Sequence, residues 1–278
     1  MRVKEIDNSV RAHYVDALKV LDGKNLFGVF LQGSQNYNLD IYTDEYRSDV
    51  DTKCIVLPSF EDFCKGNSPI STTYERENKE HIDLKDIRVM FDVFKKQNVN
   101  FVEILFTDFL YCPYEWQAEV KYLRNLGEAL THAHPAQTCR TMAGMSMEKR
   151  KALCHPYPTI LHKIEKYGYD GKQLHHIIRI NDFIKRYVKG EPFKSCLTPS
   201  PKIRELLFEA KLNKFSLEKA LELAEIYDKE NNKIKEDFIA RDGDRIDTRP
   251  YLIFIVITRL FKELSKVLAL TWKIQTTN

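Results

Sequence analysis

The sequence predicts an α+β fold: a small mixed β-sheet with flanking helices, followed by an all-helical C-terminal half. Three observations predict it. Two segments of strand length occur early, an apolar run at 26–31 and an alternating one at 48–57. From about residue 114 onward apolar residues recur almost entirely at helical spacing. The 278 residues are 43% hydrophobic and 12% aromatic, enough to build a substantial core. The expected division is therefore 1–113 and 114–278.

At the N-terminal end, Val10, Tyr14, Leu18 and Leu21 fall three or four residues apart, which predicts an amphipathic helix over 8–21 closed by the turn Asp22-Gly23-Lys24-Asn25. The run 26–31 (LFGVFL) then reads as a strand that ends directly in Gly33-Ser34-Gln35-Asn36-Tyr37-Asn38. A second strand is expected over 48–57, stopped by Pro58. Alternation along it would place Asp49, Asp51 and Lys53 on one face. Residues 59–78 read as irregular, and a helix is expected from Leu84 with Asp83 as its N-cap. Another helix is expected over 100–106. Later periodicities predict helices at 117–132, 135–153, 158–167, 171–189, 201–212, 216–238 and 250–271, with KSCLTPSP as a linker between two of them.

Charge divides along the chain. Residues 1–110 hold 14 Lys and Arg against 19 Asp and Glu, and 111–278 hold 29 against 21, within a total of only +3. The overall balance gives no reason for strong non-specific nucleic-acid binding, whereas the basic second half suits a surface that meets phosphates. Six scattered cysteines without a C-x-x-C pair point to reduced thiols and a cytoplasmic setting. No secretory signal is evident, and the most apolar run, 251–257, is broken by Arg259, Lys262 and Glu263, so no membrane association is expected.

A glycine-serine loop after a strand lets backbone and hydroxyl groups approach phosphate oxygens closely. Gly33 and Ser34 are the candidates for that contact, with Lys53 beside them. Two aspartates on one strand face suit Mg²⁺, with Mn²⁺ as a substitute, because hard cations prefer carboxylate oxygens and bridge them to polyphosphates. Two such ions acting on a phosphoryl displacement normally need a third carboxylate. Glu80 and Asp83 are both candidates. Glu80 is favoured because Asp83 is assigned to the helix cap, which leaves Asp49, Asp51 and Glu80 as the expected catalytic and metal-binding set. In the helical half, Lys172 at a helix start, with His176 and Arg179 one and two turns on, offers cationic groups to phosphate.

The segments Gly33-Ser34-Gln35-Asn36-Tyr37-Asn38-Leu39 and Ser48-Asp49-Val50-Asp51 resemble the G-S-x-x-Y-G-L and S-D-x-D signature of nucleotidyltransferases in the DNA polymerase beta superfamily, particularly a bacterial and phage branch. Glu80-His81-Ile82-Asp83-Leu84-Lys85, Asn100-Phe101-Val102-Glu103 and Gly168-Tyr169-Asp170-Gly171-Lys172 extend the resemblance, which spans residues 26 to about 190. It implies a polymerase beta-like catalytic domain over 1–113, a helical domain over 114–278 that completes a nucleotide and acceptor cleft, and a nucleoside triphosphate as donor. The implied reaction moves a nucleoside monophosphate to a hydroxyl and releases pyrophosphate; the resemblance supplies no acceptor, and the basic helical half makes an RNA 3′ end the first candidate. Two departures stand out: Asn38 replaces a glycine, and the stretch before Ser48 is about four residues longer than the pattern. They motivate the alternative of a non-catalytic nucleotide- or RNA-binding module; a toxin-like transferase acting on tRNA or protein is a further alternative.

Overall fold

The computed structural model describes residues 3–21, 25–44 and 46–257, so the turn at 22–24 and the predicted helix beyond 257 lie outside the described residues. Helix α1 (Val3–Leu21) precedes strand β1 (Asn25–Gln32), and a short 3₁₀ turn, Ser34–Tyr37, follows it. Strand β2 (Asp51–Leu57) leads to α2 (Phe60–Lys65), β3 (Ser71–Glu75) and β4 (His81–Asp86). The sheet is mixed and five-stranded, with β3, β4, β2, β1 and β5 (Leu110–Tyr111) as neighbours in that order. Among the described residues only β2 and β4 pair in parallel.

The two faces of the sheet follow from alternation. Val29, Cys54, Val56, Ile82 and Leu84 pack with Ala17 and Leu21 of α1 in one buried cluster, and Leu31 and Val50 pack with Ile6 and Val10 in a second. The odd-numbered residues of β2, Asp51 and Lys53, therefore point away from α1. Lys53 meets Phe101 of α4 (Val99–Val102) there. A second one-turn 3₁₀ segment, Glu103–Phe106, continues α4 toward β5.

The segment expected to be a helix capped by Asp83 is β4 instead. Its buried residues, Ile82, Leu84 and Asp86, alternate with the half-buried His81, Asp83 and Lys85. This period of two is that of a strand covered on one face. Helix α3 (Ile87–Lys95) starts later, and its N-cap is Asp86, whose side chain accepts the Arg88 N–H at 2.8 Å. Strand β3, in the stretch read as irregular, is exposed along its whole length and lies at the sheet edge, where no apolar alternation is needed.

The remaining helices are α5 (Gln117–Asn125), α6 (Gly127–Thr131), α7 (Pro135–Ala152), α8 (Leu161–Tyr167), α9 (Gly171–Tyr187), α10 (Phe193–Leu197), α11 (Pro201–Lys211), α12 (Leu217–Asp242) and α13 (Arg249–Ile257). Helix α10 falls in the segment expected to be a linker. The chain forms two compact units, one from 1–133 with 247–278 and the other from 134–246, rather than dividing at 113/114. The reason is aromatic packing. Phe254 of α13 lies 5.2 Å from the Phe94 ring in an edge-on pair and stacks on Phe91, and the Tyr251 hydroxyl accepts from Gln97 at 2.8 Å. These contacts return the chain to the first unit after the excursion through 134–246.

In the second unit α9 packs against α7, α10, α11 and α12. Gly171 allows the close approach to α11: an added Cβ would lie 2.1 Å from the Ala210 carbonyl oxygen. A buried polar chain crosses this bundle. Ser146 donates to Asp228 at 2.7 Å, Asn231 donates to Ser146 at 2.9 Å, and Asn181 donates to Asn231 at 2.9 Å. Each of these four side chains thus has a partner, which offsets its desolvation. Among the described residues no helix is long and apolar enough to cross a membrane.

Candidate functional site

Strand pairing, rather than proximity in sequence, assembles the candidate site. β1 and β2 are antiparallel, and Gln32 at the end of β1 is the register partner of Asp51 at the start of β2. The Gly33-Ser34 loop and the Asp49-Val50-Asp51 segment consequently emerge at the same end of the sheet. Gln35 ties them together, donating its side-chain amide to the Asp49 carbonyl at 2.6 Å.

Gly33 has φ 97° and ψ −158°, a region that residues with a Cβ essentially do not enter. Asn38 closes the turn at φ 57° and ψ 37°, so the asparagine keeps the left-handed geometry that glycine would supply. Asn36 braces the loop by donating to the Leu31 carbonyl at 2.9 Å and accepting from the Thr107 hydroxyl at 2.6 Å. The Gly33 N–H is already committed: it donates to the carboxylate of buried Glu103 at 3.2 Å. A ligand at this loop would therefore meet the half-buried Ser34 rather than the Gly33 amide. Glu103 was not among the expected site residues. Its signal was a lone acid inside the apolar run NFVEILF.

The acids divide between two sheet faces. Asp51 accepts from the His81 backbone N–H at 2.9 Å and lies 3.3 Å from its Nδ1. Asp49 precedes β2 and is exposed, so strand alternation does not fix its direction as expected. Asp83, the register partner of Lys53, shares the Asp51 face. Glu80 is on the α1 side instead, held by His13 at 3.0 Å, Arg76 at 2.9 Å and Asn78 at 2.7 Å. Burial would raise the Glu80 carboxyl, but the hydrogen bonds from His13 and Asn78 override it and hold the pKa at about 2.

Of the expected set Asp49, Asp51 and Glu80, Glu80 is held by His13, Arg76 and Asn78, whereas Asp51 accepts from His81. Among the described residues no three His, Cys, Asp or Glu side chains are gathered as metal ligands. At this sheet end Asp51 and Asp83 share one face, Asp49 precedes it, and Glu103 reaches the loop through the Gly33 N–H. Asp83 is occupied by cations, with Lys53 Nζ at 2.8 Å and Lys85 Nζ at 3.1 Å. Lys53 is thereby corrected as well: its ammonium is buried against Asp83 and Phe101 rather than presented to a phosphate.

Lys172 and His176 belong to α9 of the second unit. Lys172 is exposed in the first turn, and the helix start is capped by Asp170, which accepts the Lys172 N–H at 3.1 Å. Residues 172, 176 and 179 are spaced for one helix face. Burial, then the charges of His175, Arg179, Lys172 and Lys149, hold the His176 imidazole well below its ordinary pKa, so it is neutral at neutral pH.

No family model and no curated protein sequence matches the chain. Among solved structures it is similar to a nucleotidyltransferase-like protein from Exiguobacterium sibiricum, at 12% sequence identity and a TM-score of 0.31, over 86% of this chain and 77% of that one. These figures describe a distant likeness and assign the chain to no family.

Proposed function

We propose that the chain is a nucleotidyltransferase that takes a nucleoside triphosphate at the Gly33-Ser34 loop and moves its nucleoside monophosphate to a hydroxyl acceptor. The observation that carries this reading is the pairing of Gln32 with Asp51, which sets an anion-binding loop beside acids at one sheet end. The acceptor oxygen forms a bond to the α-phosphorus, the bond to the bridging oxygen breaks, and pyrophosphate and a proton leave. Ser34 would bind phosphate oxygen through its hydroxyl, and Asp49 and Asp51 are the acids proposed to face Mg²⁺ or Mn²⁺. When bound, such an ion offsets polyphosphate charge and activates the attacking hydroxyl. An RNA 3′ end is the first candidate acceptor because residues 111–278 carry a cationic excess.

Labelled triphosphates, Mg²⁺ and total RNA, incubated with the protein, test the reading. Label should move to RNA with the wild type and not with Asp51→Asn. Transfer that persists in Asp51→Asn, or no transfer at all, overturns it.

One observation favours a second reading, a non-catalytic nucleotide-binding module: Lys53 and Lys85 occupy both oxygens of Asp83. Calorimetry separates the two. Triphosphate binding that needs no Mg²⁺ and survives Asp49→Asn supports the module, and metal-linked binding supports the enzyme.

A further inference from the structure

The residues on either side of Asp51 are gripped from the far face of the sheet. Asp51 points away from α1, so Val50 and Thr52 point toward it. His13, fully buried on α1, has Nδ1 2.9 Å from the Thr52 hydroxyl and Nε2 3.0 Å from Glu80 Oε2. The other oxygen of Glu80 accepts the Val50 N–H at 3.4 Å, one residue before β2 begins. Arg76 donates to Glu80 at 2.9 Å and to Asp16 of α1 at 2.9 Å, which closes the arrangement onto the helix. Releasing Glu80 would leave the buried His13 Nε2 and the Val50 N–H without this acceptor, so the core of the network has little freedom to shift.

We propose that His13 and Glu80 are positioning residues that fix the Asp49-Val50-Asp51 backbone, and through it the Asp51 carboxylate, for nucleotidyl transfer. This rests on the reading of that sheet end given above. It assigns Glu80 a role opposite to that of a metal ligand, since its carboxylate acts through an acceptor oxygen on the rear of the sheet.

Turnover and KM for the triphosphate, measured in Glu80→Ala, Glu80→Gln and His13→Ala, test the proposal, with Asp51→Asn as control. Glu80→Ala should lower kcat by about 10- to 100-fold, as expected for a displaced reacting group, with KM nearly unchanged. Glu80→Gln keeps an oxygen for the Val50 N–H but turns an amide NH2 toward Arg76 and Asn78, so it should restore part of the loss. Equal damage from alanine and glutamine, or unchanged kcat in a folded Glu80→Ala protein, overturns the proposal. Wild-type turnover in Asp51→Asn, or none in the wild type, defeats the nucleotidyl-transfer reading instead. Amide exchange then decides the positioning separately: it should quicken at Val50 and Asp51 in Glu80→Ala and recover in Glu80→Gln, and unchanged exchange overturns it.

Discussion

The Lys53 ammonium lies 2.8 Å from Asp83 Oδ2 and 3.7 Å from the centre of the Phe101 ring, so a buried cation is enclosed between an acid and an aromatic face. Burial pushes the Lys53 pKa down, and the neighbouring Asp83 pulls against that shift. Breaking a buried pair from one side costs more than removing both members, because the survivor keeps its desolvation penalty. Lys53→Met should lower unfolding stability by about 3 kcal/mol. The double change Lys53→Met with Asp83→Leu should recover much of it. Urea denaturation measures both, and a double variant as unstable as the sum of two costly single changes would refute the account.

Gly33→Ala should weaken the loop through conformation rather than collision. An added Cβ would have its nearest neighbour, Gln35 Oε1, at a comfortable 3.8 Å. The φ of 97° with ψ −158° belongs to a region nearly exclusive to glycine, with a cost of about 1–3 kcal/mol for another residue. Thermal melting should show this loss, together with weaker triphosphate binding. A variant that melts and binds like the wild type would show that the loop relaxes without strain.

Asp86 and Asp83 should behave differently when truncated. Asp86 is buried, caps α3 through the Arg88 N–H, and also accepts from Arg88 Nε at 3.0 Å and Nη2 at 2.7 Å. Asp86→Ala should cost about 1–2 kcal/mol from the cap alone. Asp83→Ala should leave α3 intact. Amide exchange in the first turn of α3 distinguishes them, and equal protection in the two variants would contradict the assignment of the cap to Asp86.

The second unit should lose stability in mild acid. His175 is buried on α9 with Nδ1 2.9 Å from the Leu207 carbonyl oxygen. Burial brings its pKa down to about 3 from the ordinary 6.5, with Lys211, Arg179 and Lys172 adding repulsion. The unfolded chain therefore binds a proton below pH 6.5 that the folded chain refuses until about pH 3. Its contribution is intact above 6.5 and declines as pH falls toward 3, by at most about 1.4 kcal/mol per pH unit for one proton. Urea midpoints at pH 7.5 and pH 5 should separate in the wild type and separate less in His175→Gln, where His176 keeps its own share of the acid sensitivity. The same separation in both would assign the acid sensitivity elsewhere.

Local chemistry made part of the architecture legible in the sequence. The Gly33-Ser34 loop and the aspartates around Val50 stood out because a strand feeding a small-residue bend, then paired acids, is a short-range pattern. The faces on which acids fall were not legible to the same degree. Ile82 and Leu84 could be fitted to a helix start or to a strand, and the choice of Glu80 over Asp83 followed from choosing the helix. Parallel pairing of β4 with β2 decides it, and that contact joins residues some thirty positions apart. Lys53 was misjudged for a related reason, since its partners, Asp83 and Phe101, are brought to it only by tertiary packing. The division at 133/134 was hidden because α5, α6 and α13 have the same helical periodicity as the second unit while packing in the first.

The return of α13 to the first unit also sets an order of events during synthesis. Phe91 and Phe94 emerge from the ribosome more than 150 residues before Phe254. Residues 134–246 can collapse on their own core while the earlier unit still waits for its last aromatic cover. Folding from the N-terminus as a simple progression is thus blocked: the unit begun first is completed last.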